Sequence, residues 1–235
     1  HLRERDEVGE LALEFNRMSE RLKTLINDVY VAEIQKKEIL LRERQAQLNA
    51  LHSQINPHFL FNALESIRMR SMMKGEAQTA QTIQNMATIF RKSILWNKGF
   101  VTIREELELI ECFLEIQKYR FDKKLEYHIE VDPSVPDIEI PKMAFLPFVE
   151  NASIHGIENV PGIGYISIQI ARENGQIVFV VSDNGAGMDR EKIDELHRYF
   201  REETPMDNSI GMKNVIMRLK ICYGESFFFD IDSRP

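Results

Sequence analysis

From about Val8 to Leu51 the sequence holds no proline and only one glycine, Gly9. Apolar residues return at heptad spacing through the same stretch, at Leu11, Met18, Leu25, Ala32 and Ile39, with Phe15, Leu22 and Val29 along the adjoining seam. A stripe this narrow, flanked by Arg, Glu and Gln, buries little against a broad core. It therefore predicts a long helix that pairs as a coiled coil. Past Lys36-Lys37-Glu38 the stripe is better followed through Ile34, Leu41, Leu48 and Ile55, with Leu51 beside it. The seam changes phase there, which locally over- or underwinds a supercoil.

The segment QINPHFLFN, Gln54 to Asn62, interrupts this helix with Pro57 and sets His58 directly after it. A proline at 57 cannot donate to the Ser53 carbonyl, and its ring crowds that turn, so the helix is predicted to bend there. It then resumes to about Met73, where Lys74-Gly75-Glu76 reads as a cap and turn. A second helix, about Ala77 to Trp96, carries Ile83, Met86, Phe90 and Ile94 on one face. Two antiparallel helices on a short loop cannot bury both apolar faces alone. Pairing with a second copy into a four-helix bundle solves that problem.

Composition narrows the function. At 235 residues and 43% hydrophobic content the chain supports a real core. A formal charge of −7, with no basic stripe interleaved with aromatics, argues against direct nucleic-acid binding. Cys112 and Cys222 stand far apart without CxxC spacing, which disfavours a zinc site or disulfide framework and suits a reducing cytosol. No apolar run reaches the roughly 18 residues of a membrane span, and no signal peptide opens the chain. The first residue is His1 rather than methionine, which reads as a piece cut from something longer.

After Asn97-Lys98-Gly99 the texture changes. Thr102 can cap a helix with Glu105 and Glu106 in its first turn, running to about Arg120. A strand follows (about Leu125 to Val131), then the loop DPSVPDIEIP and a helix from about Met143 to His155. Two strands, Gly164 to Arg172 and Gln176 to Ser182, are joined at Glu173-Asn174-Gly175. A helix from about Arg190, another from Gly211 to Cys222 and a strand from Ser226 to Ile231 complete the pattern. The fold class is α+β: a long coiled-coil helix and a helical hairpin, then helices on one face of a mixed sheet.

Three short segments of this second half carry chemistry. In LPFVENASIHG (Leu146 to Gly156), Glu150 and Asn151 form a polar pair amid Phe145, Phe148, Val149 and Ile154. Oxygen ligands of that kind suit Mg²⁺, which keeps several waters and takes one or two protein oxygens plus phosphates. In VVSDNGAGMD (Val180 to Asp189) an apolar strand ends in Asp183, whose carboxylate can accept from an exocyclic amine such as adenine's. Gly185 and Gly187 let the backbone turn tightly beside a flat ligand. In NSIGMKNVIMRL (Asn208 to Leu219), Gly211 at a helix start, with Lys213 and Arg218 following, offers N–H groups and positive charge to a phosphate. Gly162-Ile163-Gly164 reads only as a turn into a strand.

In this order, behind a histidine at a helical proline, the segments resemble the LytS/YesM type of sensor histidine kinase, whose catalytic domain is a GHKL ATPase sandwich. Asp6 to Leu11 and Phe15 to Met18 look like the end of a HAMP relay module; QINPHFLFN is similar to the phosphoacceptor box. VENASIHG resembles the N box, DNGAGM the G1 box and SIGMKNV a reduced G2 box. The resemblance implies four parts: 1–28 the C-terminal part of HAMP, 29–50 a coiled-coil linker, 51–100 the dimerisation and phosphotransfer helices, and 101–235 the ATP-binding domain, short of its last strand. It implies ATP and Mg²⁺ as cofactors, and a homodimer and a response regulator as partners. The chain would be the cytoplasmic portion of an inner- or plasma-membrane protein, reaching the membrane only through a missing N-terminal sensor.

Position by position, the resemblance implies that His58 takes the phosphoryl group, Glu150 acts in catalysis, Asn151 binds Mg²⁺ and Asp183 holds adenine, while Gly185, Gly187 and Gly211 shape pocket and lid. Many relatives carry a lysine where Ile154 stands. The phosphate contact then comes from elsewhere, with His155, Lys213 and Arg190 as candidates. An attacking imidazole must be neutral to use a ring nitrogen. Phe59 replaces the acidic neighbour of many other histidine kinases, which leaves Gln54 and Asn62 to orient the ring, with Glu65 farther off. The rivals are a GHKL-type ATPase that only hydrolyses ATP, and a dimeric signalling module whose pocket no longer turns over.

Overall fold

The computed structural model describes residues 3–54, 57–95, 99–157, 162–201 and 211–233. The chain divides into two compact units, His1–Pro57 and His58–Pro235.

The first unit is one helix, α1 (Arg3–Gln54), of 52 residues, a length of about 78 Å at the usual helical rise. Leu11, Phe15, Met18, Leu22, Leu25, Val29 and Ile39 are all exposed along it, so the heptad stripe faces solvent in a single chain. Of the second seam Ile34 is exposed as well; the side chains of Leu41, Leu48 and Leu51, and residue Ile55, lie outside the described residues. No helix among the described residues is long and apolar enough to cross a membrane.

The bend expected at Pro57 involves Ile55 and Asn56, which are outside the described residues. Among the described residues helix α1 runs to Gln54, and α2 (Pro57–Met73) runs from the proline. α2 ends in a turn at Gly75, φ +78°, where Gly75 and Glu76 N–H groups donate to the Met72 and Ser71 carbonyls at 3.0 and 2.9 Å. α3 (Ala77–Leu95) returns beside it, and the Arg91 guanidinium sits 5.5 Å above the Phe61 ring.

α4 (Ile103–Phe121) starts on a full capping box. The Thr102 hydroxyl accepts from Glu105 N–H at 3.2 Å, and the Glu105 carboxylate accepts from Thr102 N–H at 2.9 Å. α3 packs along α4: Thr79 and Tyr119 hydroxyls meet at 3.1 Å, and Lys92 reaches the Glu105 carbonyl at 3.3 Å and the Glu108 carboxylate.

The main sheet has three strands, β2 (Leu125–Val131), β4 (Gly164–Glu173) and β5 (Gln176–Asp183), in the order β2-β4-β5. β2 runs parallel to β4, and β5 antiparallel to it. The hairpin turns on Asn174 and Gly175, with φ of +51° and +84°, the pair of positive φ that a tight primed turn requires. Ile166, Ile168 and Ile170 of β4 are buried, while Tyr165 before them and Gln169 among them are exposed. This alternation covers one face only. The shared core takes in Ile110 and Leu114 of α4, Val149 of α5 (Leu146–Asn151) and Val215 of α7 (Met212–Tyr223). With α6 (Arg190–Arg201), the architecture is α+β, as the pattern predicted.

Three local expectations need correction. The loop DPSVPDIEIP contains a short strand, β3 (Glu139–Pro141), paired antiparallel with β1 (Phe100–Thr102). The helix expected from Met143 starts at Leu146 instead, because Met143 has φ +55° and Pro147 fits only the first turn. Its end also changes character, since Ala152–Ile157 is a π-helical turn. Finally, Ser226–Ile231 forms no ladder; Gly224–Ser226 is a 3₁₀ turn. The period-two pattern is present, with Phe228 exposed and its neighbours half-buried. Phe227 and Phe229 pack on Phe200 of α6 at 5.7 and 6.0 Å, and Phe229 on Phe148 of α5 at 6.0 Å. Aromatic packing on helices takes the place of strand pairing.

Candidate functional site

Asp183 ends β5, where it lies opposite Ile166 in the ladder. Its carboxylate accepts from Gly185 N–H at 2.9 Å, an Asx-type turn that swings the chain off the sheet. Asn184 fixes that departure: its Oδ1 accepts from Tyr165 N–H at 2.6 Å and its Nδ2 donates to the Ile163 carbonyl at 3.1 Å. Gly187 takes φ +74°, a conformation that disfavours any Cβ. Met188 N–H donates to the Ser233 hydroxyl at 2.8 Å.

Against this loop packs the turn that continues α5. A Cβ on Gly156 would stand 2.6 Å from the Asp183 Oδ1, and one on Gly185 would stand 2.4 Å from the Gly156 backbone. Ala186 N–H donates to the Gly156 carbonyl at 2.9 Å. Two glycines thus meet face to face and bring the two segments into backbone contact while Asp183 stays exposed. The expectation that Gly164 only turns the chain is too weak. Its Cβ would stand 2.1 Å from Ile157, so it closes the start of β4 against the same π turn.

Glu150 and Asn151, the last two residues of α5, are both half-buried. Burial pushes the Glu150 carboxyl up from its ordinary range, because desolvation disfavours its charged form. Extra backbone carbonyls freed at a π turn are a recurrent feature of functional sites. Among the described residues no cluster of three or more His, Cys, Asp or Glu converges on a metal position. A cation held by one amide oxygen and substrate phosphates needs no such cluster.

The phosphate candidates separate. Gly211 opens α7, and a Cβ there would meet nothing within 4 Å. Lys213 is ion-paired to Glu195 of α6 at 2.5 Å, and Arg218 donates to the Met143 carbonyl at 2.7 Å. Arg190 is exposed at the start of α6. The His155 side chain, and residues 202–210 that lead into Gly211, lie outside the described residues.

His58 is exposed on the first turn of α2. Asn62, one turn on, brings its amide nitrogen to 3.3 Å from Nδ1 and 3.4 Å from Nε2. The amide thus lies against the edge of the imidazole and can fix the orientation of the ring. Glu65 is engaged by Arg68 at 2.6 and 2.9 Å, which holds its carboxyl below the usual range. The Gln54 side chain is outside the described residues. Ile67, Met69, Met72 and Met73 of α2 are exposed apolar residues, as are Met86 and Phe90 of α3.

One residue that the sequence reading passed over is Glu106 of α4, fully buried. Its carboxylate accepts from the N–H groups of Met143, Phe145 and Leu146 at 2.9, 3.1 and 3.3 Å. Desolvation pushes its carboxyl up, and these three donors oppose that. Its signal was present: it stands three residues after Ile103 and four before Ile110, on the apolar face of its helix.

A family model described as Histidine kinase matches residues 46–125. Among curated proteins, the chain is similar to the sensor histidine kinase YesM of Bacillus subtilis (strain 168), 31% identical over 228 residues, 97% of this chain and 37% of that protein. It is similar to the sensor histidine kinase YpdA of Escherichia coli (strain K12), 38% identical over 189 residues, 79% of this chain and 32% of that protein. The sensor protein LytS of Oceanobacillus iheyensis is 31% identical over 212 residues, 88% of this chain and 36% of that protein. The chain spans about a third of the length of these relatives.

Proposed function

Because this chain belongs to the LytS/YesM-type sensor histidine kinases, we propose that it is the ATP-dependent kinase portion of a two-component sensor, phosphorylating His58 and passing the phosphoryl group to an aspartate of a response regulator. The observation that carries this reading is the glycine-to-glycine contact of Gly156 with Gly185, which leaves the Asp183 carboxylate exposed beside the α5 turn. Such a cradle fits a flat base with a phosphate tail. Bound there, ATP supplies the phosphoryl group and Mg²⁺ neutralises its charge.

In this reading residues 101–235 of the second unit form a GHKL-type domain. Asp183 accepts from the exocyclic amine of adenine, and Asn151 gives its amide oxygen to Mg²⁺. Glu150, its carboxyl raised by burial, serves as the proton-handling group beside it. Gly185, Gly187 and Gly211 shape the pocket and its lid. With Lys213 engaged by Glu195, contact to phosphate falls to Arg190, to His155 or to a Lys213 released from that pair. His58 is the nucleophile, its ring oriented by Asn62. The protein contributes positioning above all.

The exposed apolar faces of α1, α2 and α3 support a homodimer in which the α1 stripes pair as a parallel coil and the hairpins form a four-helix bundle. Residues 1–28 then end a HAMP module, 29–50 link it to the bundle at 51–100, and the membrane is reached through an N-terminal sensor and transmembrane part. A phase change near residues 32–41 would let a signal travel as a register shift. Sedimentation at micromolar concentration is expected to give a dimer; a monomer there would remove this arrangement.

The kinase reading is tested by incubating the chain with Mg²⁺ and γ-labelled ATP, with protein-bound label the expected result. Free phosphate alone would mark a GHKL-type ATPase, and neither product a module that has lost turnover. Within the site, Asp183→Asn is expected to weaken ATP binding by about 1.5–3 kcal/mol, the worth of a charge-assisted bond. Unchanged affinity by calorimetry would remove Asp183 from the adenine contact.

A further inference from the structure

We propose that Glu106 is a positioning residue for phosphoryl transfer, a cap supplied by α4 that sets the short helix α5 and, through it, Glu150 and Asn151. The proposal rests on the kinase reading above. Its basis is where the N-terminal donors of α5 go. The first N–H groups of any helix lack intrahelical acceptors, and Phe145, the residue before α5, supplies no side-chain cap. Glu106 takes that role from another helix, accepting from Phe145 and Leu146 with one oxygen and from Met143 with the other.

The turn so held has no local reason for its shape. Met143 has φ +55°, a left-handed conformation that is costly for a non-glycine residue and persists only where surroundings over-determine it. Here they do. Beside the Glu106 bond to its N–H, the Met143 carbonyl accepts from Arg218 of α7 at 2.7 Å. The Lys142 ammonium donates to the Ser93 carbonyl of α3 at 2.8 Å, and the Lys142 N–H to the Gly99 carbonyl at 3.0 Å. The helix from the histidine-bearing hairpin, the helix that follows the Gly211 segment and the helix that carries Glu150 and Asn151 all meet at one turn. Glu106 is the buried carboxyl at its centre.

Asn151 is only five residues beyond Leu146, roughly 7–8 Å along a helix. With so short a lever, a shift at the capped end reaches the amide oxygen nearly undiminished. Misplacement by about 1 Å is enough to cost on the order of a hundredfold in a positioned reaction. Glu106→Gln keeps one acceptor oxygen and turns the other into a donor facing an N–H. The variant retains much of the burial while misdirecting the turn.

The experiment compares the parent 235-residue chain, Glu106→Gln, Glu106→Asp, Asn151→Ala and the double variant Glu106→Gln/Asn151→Ala. Labelling by Mg²⁺ and γ-labelled ATP is followed at a temperature where circular dichroism finds every variant folded. Glu106→Gln is expected to lower the labelling rate at saturating ATP about tenfold or more and to raise KM for ATP. In the Asn151→Ala background it should add little, because both act through one group. Glu106→Asp, which keeps the charge on a shorter stem, is expected to show the same split in smaller measure and keeps the test open should the glutamine variant unfold. A purely structural role predicts losses that track the unfolded fraction and multiply with Asn151→Ala. That result, or parental kinetics in Glu106→Asp, overturns the assignment. A parent chain that takes up no label overturns the kinase reading and this assignment with it, whereas a labelled parent with unaffected Glu106 variants overturns the assignment alone.

Discussion

Gly185→Ala is expected to abolish most nucleotide binding by the chain while leaving the sheet in place. The added methyl would stand 2.4 Å from the carbonyl carbon, Cα and oxygen of Gly156. None of these is the end of a flexible side chain, so backbone must move. The two segments joined there are the ones that present Asp183 on one side and continue Glu150 and Asn151 on the other. Overpacking of this kind costs about 1–3 kcal/mol, which, if it falls wholly on the bound state, is roughly a 5- to 150-fold loss of affinity. Gly162→Ala is the matched control, since a Cβ there meets nothing within 4 Å. Calorimetry with ATP separates the two. Equal affinities in both variants would mean that the Gly156–Gly185 contact does not shape a nucleotide site.

Much of the fold was legible because the chain marks its own boundaries. Gly75 and Thr102 each act over one turn, through a positive φ and a side-chain cap, and each ends or begins a helix where the sequence predicted. The Asn174-Gly175 hairpin is local in the same sense. What escaped depends on distant partners. Three-residue strands such as β1 and β3 are too short for a period to register, and their pairing joins Phe100–Thr102 to Glu139–Pro141 across the whole of α4. The stretch after Gly224 has the right alternation but spends it on aromatic contacts with α5 and α6.

The candidate site divides along the same line. Asp183, Gly185 and Gly187 announce themselves as a strand end followed by glycines, and the structure brings Gly185 and Asp183 against Gly156. Lys213 looked equally available in sequence, yet its charge is engaged by Glu195, eighteen residues earlier on α6. Glu106 read as one more acid complementing a helix dipole. Its neighbour Glu105 does serve the helix start, whereas Glu106 turns inward to a loop nearly forty residues on. Periodicity could have separated the two acids, since only Glu106 falls on the buried stripe with Ile103, Ile110 and Phe113.

His58→Ala is expected to eliminate covalent labelling by γ-labelled ATP and to change little else. The side chain is exposed, and its described polar contacts are with Asn62 on the same helix. Its removal therefore opens no cavity, and surface substitutions of this sort stay within about 0.5 kcal/mol. Melting temperature, sedimentation and ATP affinity should match the parent chain, and only the acceptor is lost. A histidine serving as core would behave in the opposite way, with a lower melting temperature and labelling that follows the folded fraction. The linkage offers a second criterion. A phosphoryl group on an imidazole nitrogen is lost when acid protonates the ring and makes it a good leaving group, and it survives base, the reverse of a serine ester. Asn62→Ala adds a graded arm: it leaves the nucleophile but removes the amide that orients its ring, so labelling should slow rather than vanish. Label that withstands acid, or that persists at parental level in His58→Ala, would remove this residue from the reaction and return the Pro57-His58 step to a feature of helix architecture alone.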